Sequence, residues 1–306
     1  MEYNKVKSVE ERKLLYTVQL NDTLYKIAEK FNTTVQDIMD ANIICKPSLI
    51  SVGMPLIIPD KQIELPKAGL SPYYIVLPGD TIDCISKYTG IPVQTLAEIN
   101  QINNPDILYT GRELLLVPPS SQSPEELKRE WEEIPDDDCM VYGPQEQGIL
   151  YSGSFGWSGF GEEAINPLLQ LLENPCEVIR QYAVISLGRL ALNGRVRNAL
   201  IPLLKDDSLS HLVRIALRRI ELRSRGLERV HINMTDNIIA SMPDSNSSFV
   251  ELPIGAEIVI LRWFIPSPTG EEGPRGGIQI YDYVQLVNTN QRGFVPRFGD
   301  AAITFI

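Results

Sequence analysis

Along the N-terminal third of the chain, short runs of alternating apolar residues bracket stretches with helical spacing. Tyr16 and Val18 open one block; Leu24, Ile27, Ala28 and Phe31 follow at i, i+3, i+4 and i+7. Val35, Ile38 and Met39 begin a second helical stripe, and Met54 to Ile58 returns to a strand pattern. The whole block recurs at an offset of 58 residues: Val18 answers to Val76, Ile27 to Ile85, Val35 to Val93, Asn42 to Asn100, Pro47 to Pro105, Gly53 to Gly111 and Leu56 to Leu114. Each copy therefore predicts strand, helix, helix, strand. The two strands must pair antiparallel with both helices on one face, because only that arrangement buries both stripes. Asp22 and Asp80 stand where helix N-caps are expected, and Asp80 with Asp83 approximates a capping box.

Beyond the repeat the pattern changes three times. Ser123 to Asp138 is rich in Glu, Asp and Pro and predicts one short helix with an acidic stop. Gly143 to Gly161 mixes glycine with Tyr151, Phe155, Trp157 and Phe160, a composition that argues against a regular helix and leaves a linker, a hairpin or a packed loop open. From Glu162 to about Arg225 the spacing is helical and again duplicated: Ile165-Asn-Pro-Leu-Leu169 returns as Leu200-Ile-Pro-Leu-Leu204, and Val178-Ile-Arg180 as Leu212-Val-Arg214. This predicts two helical hairpins about 34–35 residues apart, the spacing of a short solenoid. From Val230 onward, β-rich runs separated by Gly, Pro, Ser and Asn predict a small barrel, interrupted by a Pro- and Gly-rich insertion from Pro266 to Gly277.

The order aromatic-x-Val, a Gly-Asp-Thr-Leu-like turn, an Ile-Ala helix, then Asn, Pro, Gly and Leu-x-Ile resembles the lysin motif (LysM), twice and in register. The first copy departs from that pattern with Asn21 for the usual glycine and Leu20 for the usual proline; Asn tolerates φ > 0 better than most residues, which preserves the turn. The helical duplication resembles HEAT repeats, and Leu-Pro-x-Gly-x-x-Ile-x-Ile followed by Gly-Phe-Val-Pro is similar to a bacterial Src-homology-3-like domain. The expected architecture is a multi-domain α+β chain. It comprises βααβ LysM modules at 15–59 and 73–118, an acidic and Gly/aromatic-rich linker at 119–161, HEAT-like repeats at 162–226 and a small β-barrel at 230–306.

The LysM resemblance implies a shallow glycan groove between the loop after the first strand and the loop before the second. Residue by residue it falls on Asn21, Asp22, Thr23 and Leu24 with Pro47, Ser48, Leu49 and Ile50. In the second copy it falls on Gly79, Asp80, Thr81 and Ile82 with Pro105, Asp106, Ile107 and Leu108. An N-acetyl group offers an amide donor, an amide acceptor and a methyl, so loop backbone plus apolar side chains suffice to recognise it. The bland reading competes: Asp22, Thr23, Asp80 and Thr81 would serve as caps in a module that binds nothing, and Leu24 and Ile82 belong at the core edge. Two tethered modules favour a repeating polymer, peptidoglycan or chitin, through avidity. The competing expectation is structural docking in a spore coat or phage-tail-like assembly, and the helical pairs or the barrel offer further surfaces for protein partners.

Composition and charge narrow the rest. A formal charge of −11 disfavours nucleic acid and anionic lipid as partners. No run reaches the length of a membrane-spanning helix, and the N-terminus carries charges where a signal peptide would be apolar. The expected location is a cell wall or spore, with cytoplasmic synthesis and later assembly. Cys45, Cys84, Cys139 and Cys176 form no CxxC pair and are expected as thiols. With only His211 and His231 available, neither a zinc site nor a Cys–His or Ser–His pair is expected, and no signature joins two carboxylates. The expectation is a binding protein without catalysis, metal or cofactor. The basic run Arg214, Arg218, Arg219, Arg223 and Arg225 reads as a solvated face or an internal counterpart to the acidic segments. The aromatic residues around Trp157 read as packing against a neighbouring domain.

Overall fold

The computed structural model describes residues 15–59, 72–134, 144–190, 194–274, 277–297 and 305–306. The duplicated block folds twice as predicted. In the first module β1 (Leu15–Thr17) pairs antiparallel with β2 (Pro55–Ile57), and α1 (Leu24–Lys30) and α2 (Val35–Asn42) lie between them in sequence. The second module repeats this with β3 (Tyr73–Ile75), α3 (Ile82–Thr89), α4 (Val93–Ile99) and β4 (Glu113–Leu115). Val18, Leu24, Ile27, Ile38 and Leu56 form one core, and Val76, Ile82, Ile85, Leu96 and Leu114 the other.

The repeated asparagines explain how so small a unit is held. Asn42 donates to Ile38 O and Ile57 O and accepts from Ile57 N, each at 2.7 Å. Asn100 does the same with Leu96 O, Leu115 O and Leu115 N. One amide thus bolts the end of the second helix to the closing strand and satisfies backbone groups that the two-stranded sheet leaves unpaired.

The helix caps differ from expectation. Thr23 and Thr81, rather than the preceding aspartates, are the N-caps, with hydroxyls accepting from Lys26 N and Cys84 N at 3.3 Å. The capping box belongs to Thr34 and Asp37 at the start of α2. Asp22 and Asp80 instead turn back to the first strand, accepting from the hydroxyls of Tyr16 and Tyr74 at 2.7 Å.

The expectation of free thiols is also corrected. Cys45 and Cys84 form a disulfide that joins the two modules, with their Cα atoms 5.9 Å apart, and Cys176 is disulfide-bonded as well. Among the described residues no cysteine is free. The signal was invisible in the sequence because the bridge runs between repeats that come together only on folding. The Cα distance is within the range a disulfide spans without backbone movement.

After α5 (Pro124–Glu132), the glycine-rich stretch for which no regular helix is expected is one: α6 runs from Pro144 to Phe160. Gly153, Gly156 and Gly159 are three residues apart and share a face. A Cβ on Gly153 would stand 2.6 Å from Trp131 Nε1, and one on Gly156 or Gly159 would stand 3.3 Å from Pro119. Close approach compensates for the poor helix propensity of glycine, about 1 kcal/mol each. Trp157 is fully buried and meets Trp131 edge to face at 5.5 Å. The acidic stop at Asp136–Asp138 lies outside the described residues.

The duplicated helical pattern forms α7 (Ile165–Leu171), α8 (Glu177–Leu190), α9 (Gly194–Leu200) and α10 (Ser210–Ser224), with a short 3-10 turn at Ile201–Lys205. Their apolar faces merge with Leu127, Trp131 and Trp157 into the largest core of the molecule. The C-terminal strands form a curled half-barrel sheet. They are β5 (Val230–Ile232), β6 (Asn237–Ala240), β7 (Phe249–Leu252), β8 (Glu257–Pro266), β9 (Ile280–Leu286) and β10 (Arg292–Pro296), in the order β5-β8-β9-β10-β6-β7. Of the small barrel expected, the described strands form half: β5 and β7 are edges that do not pair with each other. Half-buried Arg262 of β8 fastens this sheet to the first module, donating to Pro55 O and to Asn42 Oδ1. Tyr73 and Trp263 join the sheet to the second module with rings 5.4 Å apart.

Candidate functional site: two paired loop grooves

Each groove begins at a left-handed residue. Asn21 has φ 67° and Gly79 φ 82°, so both copies make the same corner even though only one has glycine there. The corner is braced from inside: Asp22 Oδ2 accepts from Gln19 N at 2.7 Å, and Asp80 Oδ2 from Leu77 N at the same distance. The carboxyls differ in setting. Hydrogen bonds from Tyr16 and Gln19 lower the Asp22 pKa, whereas burial raises that of Asp80 against the same two kinds of bond.

Corner and facing loop meet in both modules, since Leu24 shares an apolar cluster with Ile50, and Ile82 with Leu108. Leu24 and Ile82 are nearly inaccessible, at 2% and 1%, and belong to the core. Asp22, Thr23, Asp80 and Thr81 are occupied in holding the corner. The facing loops are different. Pro47, Ser48, Pro105 and Asp106 are exposed, Ile50 and Leu108 are half-buried, and Leu49 and Ile107 present apolar surface at 42% and 47% exposure.

The grooves are not independent. A Cβ on Gly79 would lie 2.5 Å from Leu49 Cδ1 and 3.0 Å from Lys46 Cδ, so the facing loop of the first module sits against the corner of the second. The Tyr74 hydroxyl, which shares its one proton between Asp80 and Ile43 O at 3.1 Å, reaches the first module, Ile43 enters the core of the second, and the Cys45–Cys84 bridge closes the contact. In order, the predicted segments run Asn21–Leu24, Pro47–Ile50, Gly79–Ile82, Pro105–Leu108, with the middle two touching.

Sequence reasoning missed several exposed apolar residues on or beside these loops: Leu20, Tyr25, Val52 and Tyr109, from 64% to 77% exposed. Tyr25 carried a signal, because it falls outside the Leu24, Ile27, Ala28 stripe and must face away from the core. It also missed His231 Nε2, which donates to Glu113 Oε1 at 3.0 Å while Trp263 Nε1 donates to Oε2 at 3.1 Å. Residues 118 positions apart leave no local trace of such a pairing. Among the described residues no group of three or more His, Cys, Asp or Glu is placed to hold a metal, and no helix is long and apolar enough to cross a membrane.

Comparison with known proteins agrees with the repeat. The LysM domain model matches residues 16–59 and 74–117. A relative, the secreted LysM effector ECP6 of Passalora fulva, is 35% identical over 125 residues, covering 35% of this chain and 54% of that protein. An autolysin of Enterococcus faecalis is 30% identical over 112 residues, covering 33% of this chain and 15% of that protein. The chain thus spans about half of the first relative and a small part of the second. Among solved structures, the spore cortex-lytic enzyme SleL of Bacillus cereus is similar at 17% identity, with 70% of this chain and 48% of that one covered. At a TM-score of 0.18 that likeness carries no argument. The chain contains two tandem LysM domains.

Proposed function

We propose that this protein binds an N-acetylglucosamine-containing polymer, peptidoglycan or chitin, through its two LysM grooves, without catalysis, and so anchors or scaffolds at a wall or spore surface. The observation that carries the reading is the duplicated left-handed corner at Asn21 and Gly79, each facing a loop that leaves Leu49 or Ile107 exposed. Loop amides with an apolar side chain beside them match the acetamido group, which needs a donor, an acceptor and a methyl contact. The disulfides support residence in an oxidising environment, in place of free thiols in the cytoplasm.

Calorimetric titration of the oxidised protein with chitohexaose and with a solubilised peptidoglycan glycan tests this and separates the two polymers. Binding of either, weakened in Leu49→Ala and Ile107→Ala, is the expected result; no heat with both polymers overturns the reading. One observation favours a second reading, docking in a coat or tail-like assembly. Edge strand β7 presents Phe249 and Val250 at 58% and 40% exposure, and an open strand edge is a template for pairing with another chain. Pulldown on insoluble glycan distinguishes them, since docking predicts no retention on the polymer.

A further inference from the structure

A cavity of about 990 Å³ lies where the second module, the helical pairs and the sheet converge. Five arginines line it: Arg112 from the module, Arg189 from α8, Arg219 and Arg223 from α10, and Arg229 from the turn before β5. Three carboxylates accompany them. Glu113 is half-buried and engaged by His231 and Trp263, while Glu162 and Glu228 are exposed. Among the described residues none of the five arginines is in an ion pair.

Their guanidinium groups are held by backbone. Arg219 donates to Val230 O and Glu228 O, Arg223 to Arg189 O, Arg229 to Gly111 O and Ile260 O, and Arg112 to Asn100 O. Carbonyls satisfy donors but do not neutralise charge; Glu113 acts on Arg219 and Arg229 and Glu228 on Arg223, so two carboxylates face three arginines and the site keeps a net positive charge, which is costly to bury. Arg219 is 6% exposed, and its Nε and that of Arg229 are buried without an acceptor among the described residues. In a chain of net charge −11, this concentration of positive charge in one concave site is the exception. It runs opposite to the long-range field, so it acts at close range on a group small enough to enter.

We propose that this cavity is a binding site for a multiply charged oxyanion, a compound bearing two or more carboxylate or phosphoryl groups, with Arg219, Arg223 and Arg229 supplying the charge. The arginines have rigid forks suited to such groups, and preorganisation by the backbone carbonyls leaves little entropy to lose on binding. None of the predicted groove residues lines the cavity, although Tyr109, next to the facing loop of the second groove, does.

Titration of the full oxidised chain with pyrophosphate and with propane-1,2,3-tricarboxylate, at low and at physiological ionic strength, tests the assignment and tells phosphoryl from carboxylate preference. At least one anion is expected to bind, more weakly as salt rises. Arg223→Gln is expected to weaken it by roughly tenfold or more, the scale of a lost charged hydrogen bond. Glu228→Gln, an exposed change that leaves the fold intact, is expected to tighten binding several-fold by removing a like charge at the rim. Arg292→Gln, on the exposed end of β10, is expected to change nothing. The Glu228 variant keeps the test open if Arg223→Gln fails to fold. No binding of either anion, or equal affinity in the wild type and Glu228→Gln, overturns the proposal.

Discussion

Leu49 of the first module lies over Gly79 of the second so closely that a Cβ on Gly79 would stand 2.5 Å from Leu49 Cδ1. Gly79 is therefore constrained twice, by its positive φ and by its neighbour. Gly79→Ala is expected to destabilise the protein by roughly 1–3 kcal/mol, combining the left-handed backbone penalty with overpacking. Adding Leu49→Ala removes the closest steric contact and leaves the backbone penalty and the Lys46 contact in place. The double variant is expected to recover some stability in urea unfolding but not all of it; no recovery would show that Leu49 does not press on the corner.

The disulfide beside that contact closes a loop with a sequence separation of 39. Replacing both Cys45 and Cys84 by Ser is expected to cost about 3–4 kcal/mol on the chain-entropy account. Module cores do not contain the sulfurs, so the secondary structure should survive and the loss should appear as easier unfolding. If glycan binding uses the touching segments Pro47–Ile50 and Gly79–Ile82 together, affinity falls in the same variant. Unchanged stability in the oxidised and reduced wild type would contradict this.

How much of this could be read in advance depended on distance along the chain. The modules were legible because period, corner and closing strand all lie within one repeat, and the same register held from Val18 to Leu56 and from Val76 to Leu114. The helical pairs were legible for the same reason. The helix through Gly153, Gly156 and Gly159 was not, because glycine lowers propensity locally while its benefit, room for Trp131 and Pro119, comes from residues elsewhere. Of the predicted segments, Pro47–Ile50 and Pro105–Leu108 lie in loops, while Leu24 and Ile82 went to the core and Asp22 and Asp80 to bracing tyrosines. An i, i+3 pattern cannot show which way a capping carboxylate turns. The Cys45–Cys84 bridge and the Glu113–His231 pair were illegible, since both join units whose relative placement no short pattern encodes.

The two Tyr–Asp braces offer an internal comparison. Tyr74 donates to buried Asp80, while Tyr16 donates to Asp22 at the surface, each at 2.7 Å. Tyr74→Phe leaves a buried carboxylate with one fewer donor and is expected to cost roughly 1–3 kcal/mol. Tyr16→Phe lets water take the place of the hydroxyl and is expected to cost less. Chemical denaturation of the two variants side by side checks the order, and a larger loss in Tyr16→Phe would contradict the burial argument.

Acid sensitivity follows from buried His231 and its half-buried partner Glu113. Burial, with the neighbouring Arg219 and Arg229 charges, lowers the His231 pKa below its ordinary 6.5 despite Glu113, so the folded protein holds a neutral ring. Burial alone would raise the Glu113 carboxyl, but His231, Arg229 and Trp263 outweigh it and hold the pKa at about 2. In both cases the unfolded chain takes up a proton at higher pH than the folded one, so stability is lost as pH falls. The His231 part begins to go below pH 6.5. The Glu113 part goes between about 4.5 and about 2 and is on the order of 3 kcal/mol. Asp80 and Asp282, whose pKa values burial raises, act in the opposite direction. Asp80 is common to wild type and a His231→Gln variant, whereas Asp282 and Glu113 both feel the His231 charge, so the difference between the two reports the imidazole together with its effect on those carboxyls. Urea unfolding from pH 7 to 5 is expected to show the wild type losing stability and His231→Gln, which still donates to Glu113, losing less. Parallel curves would mean that His231 titrates alike in the folded and unfolded chain, and that its burial against the arginines does not keep it neutral.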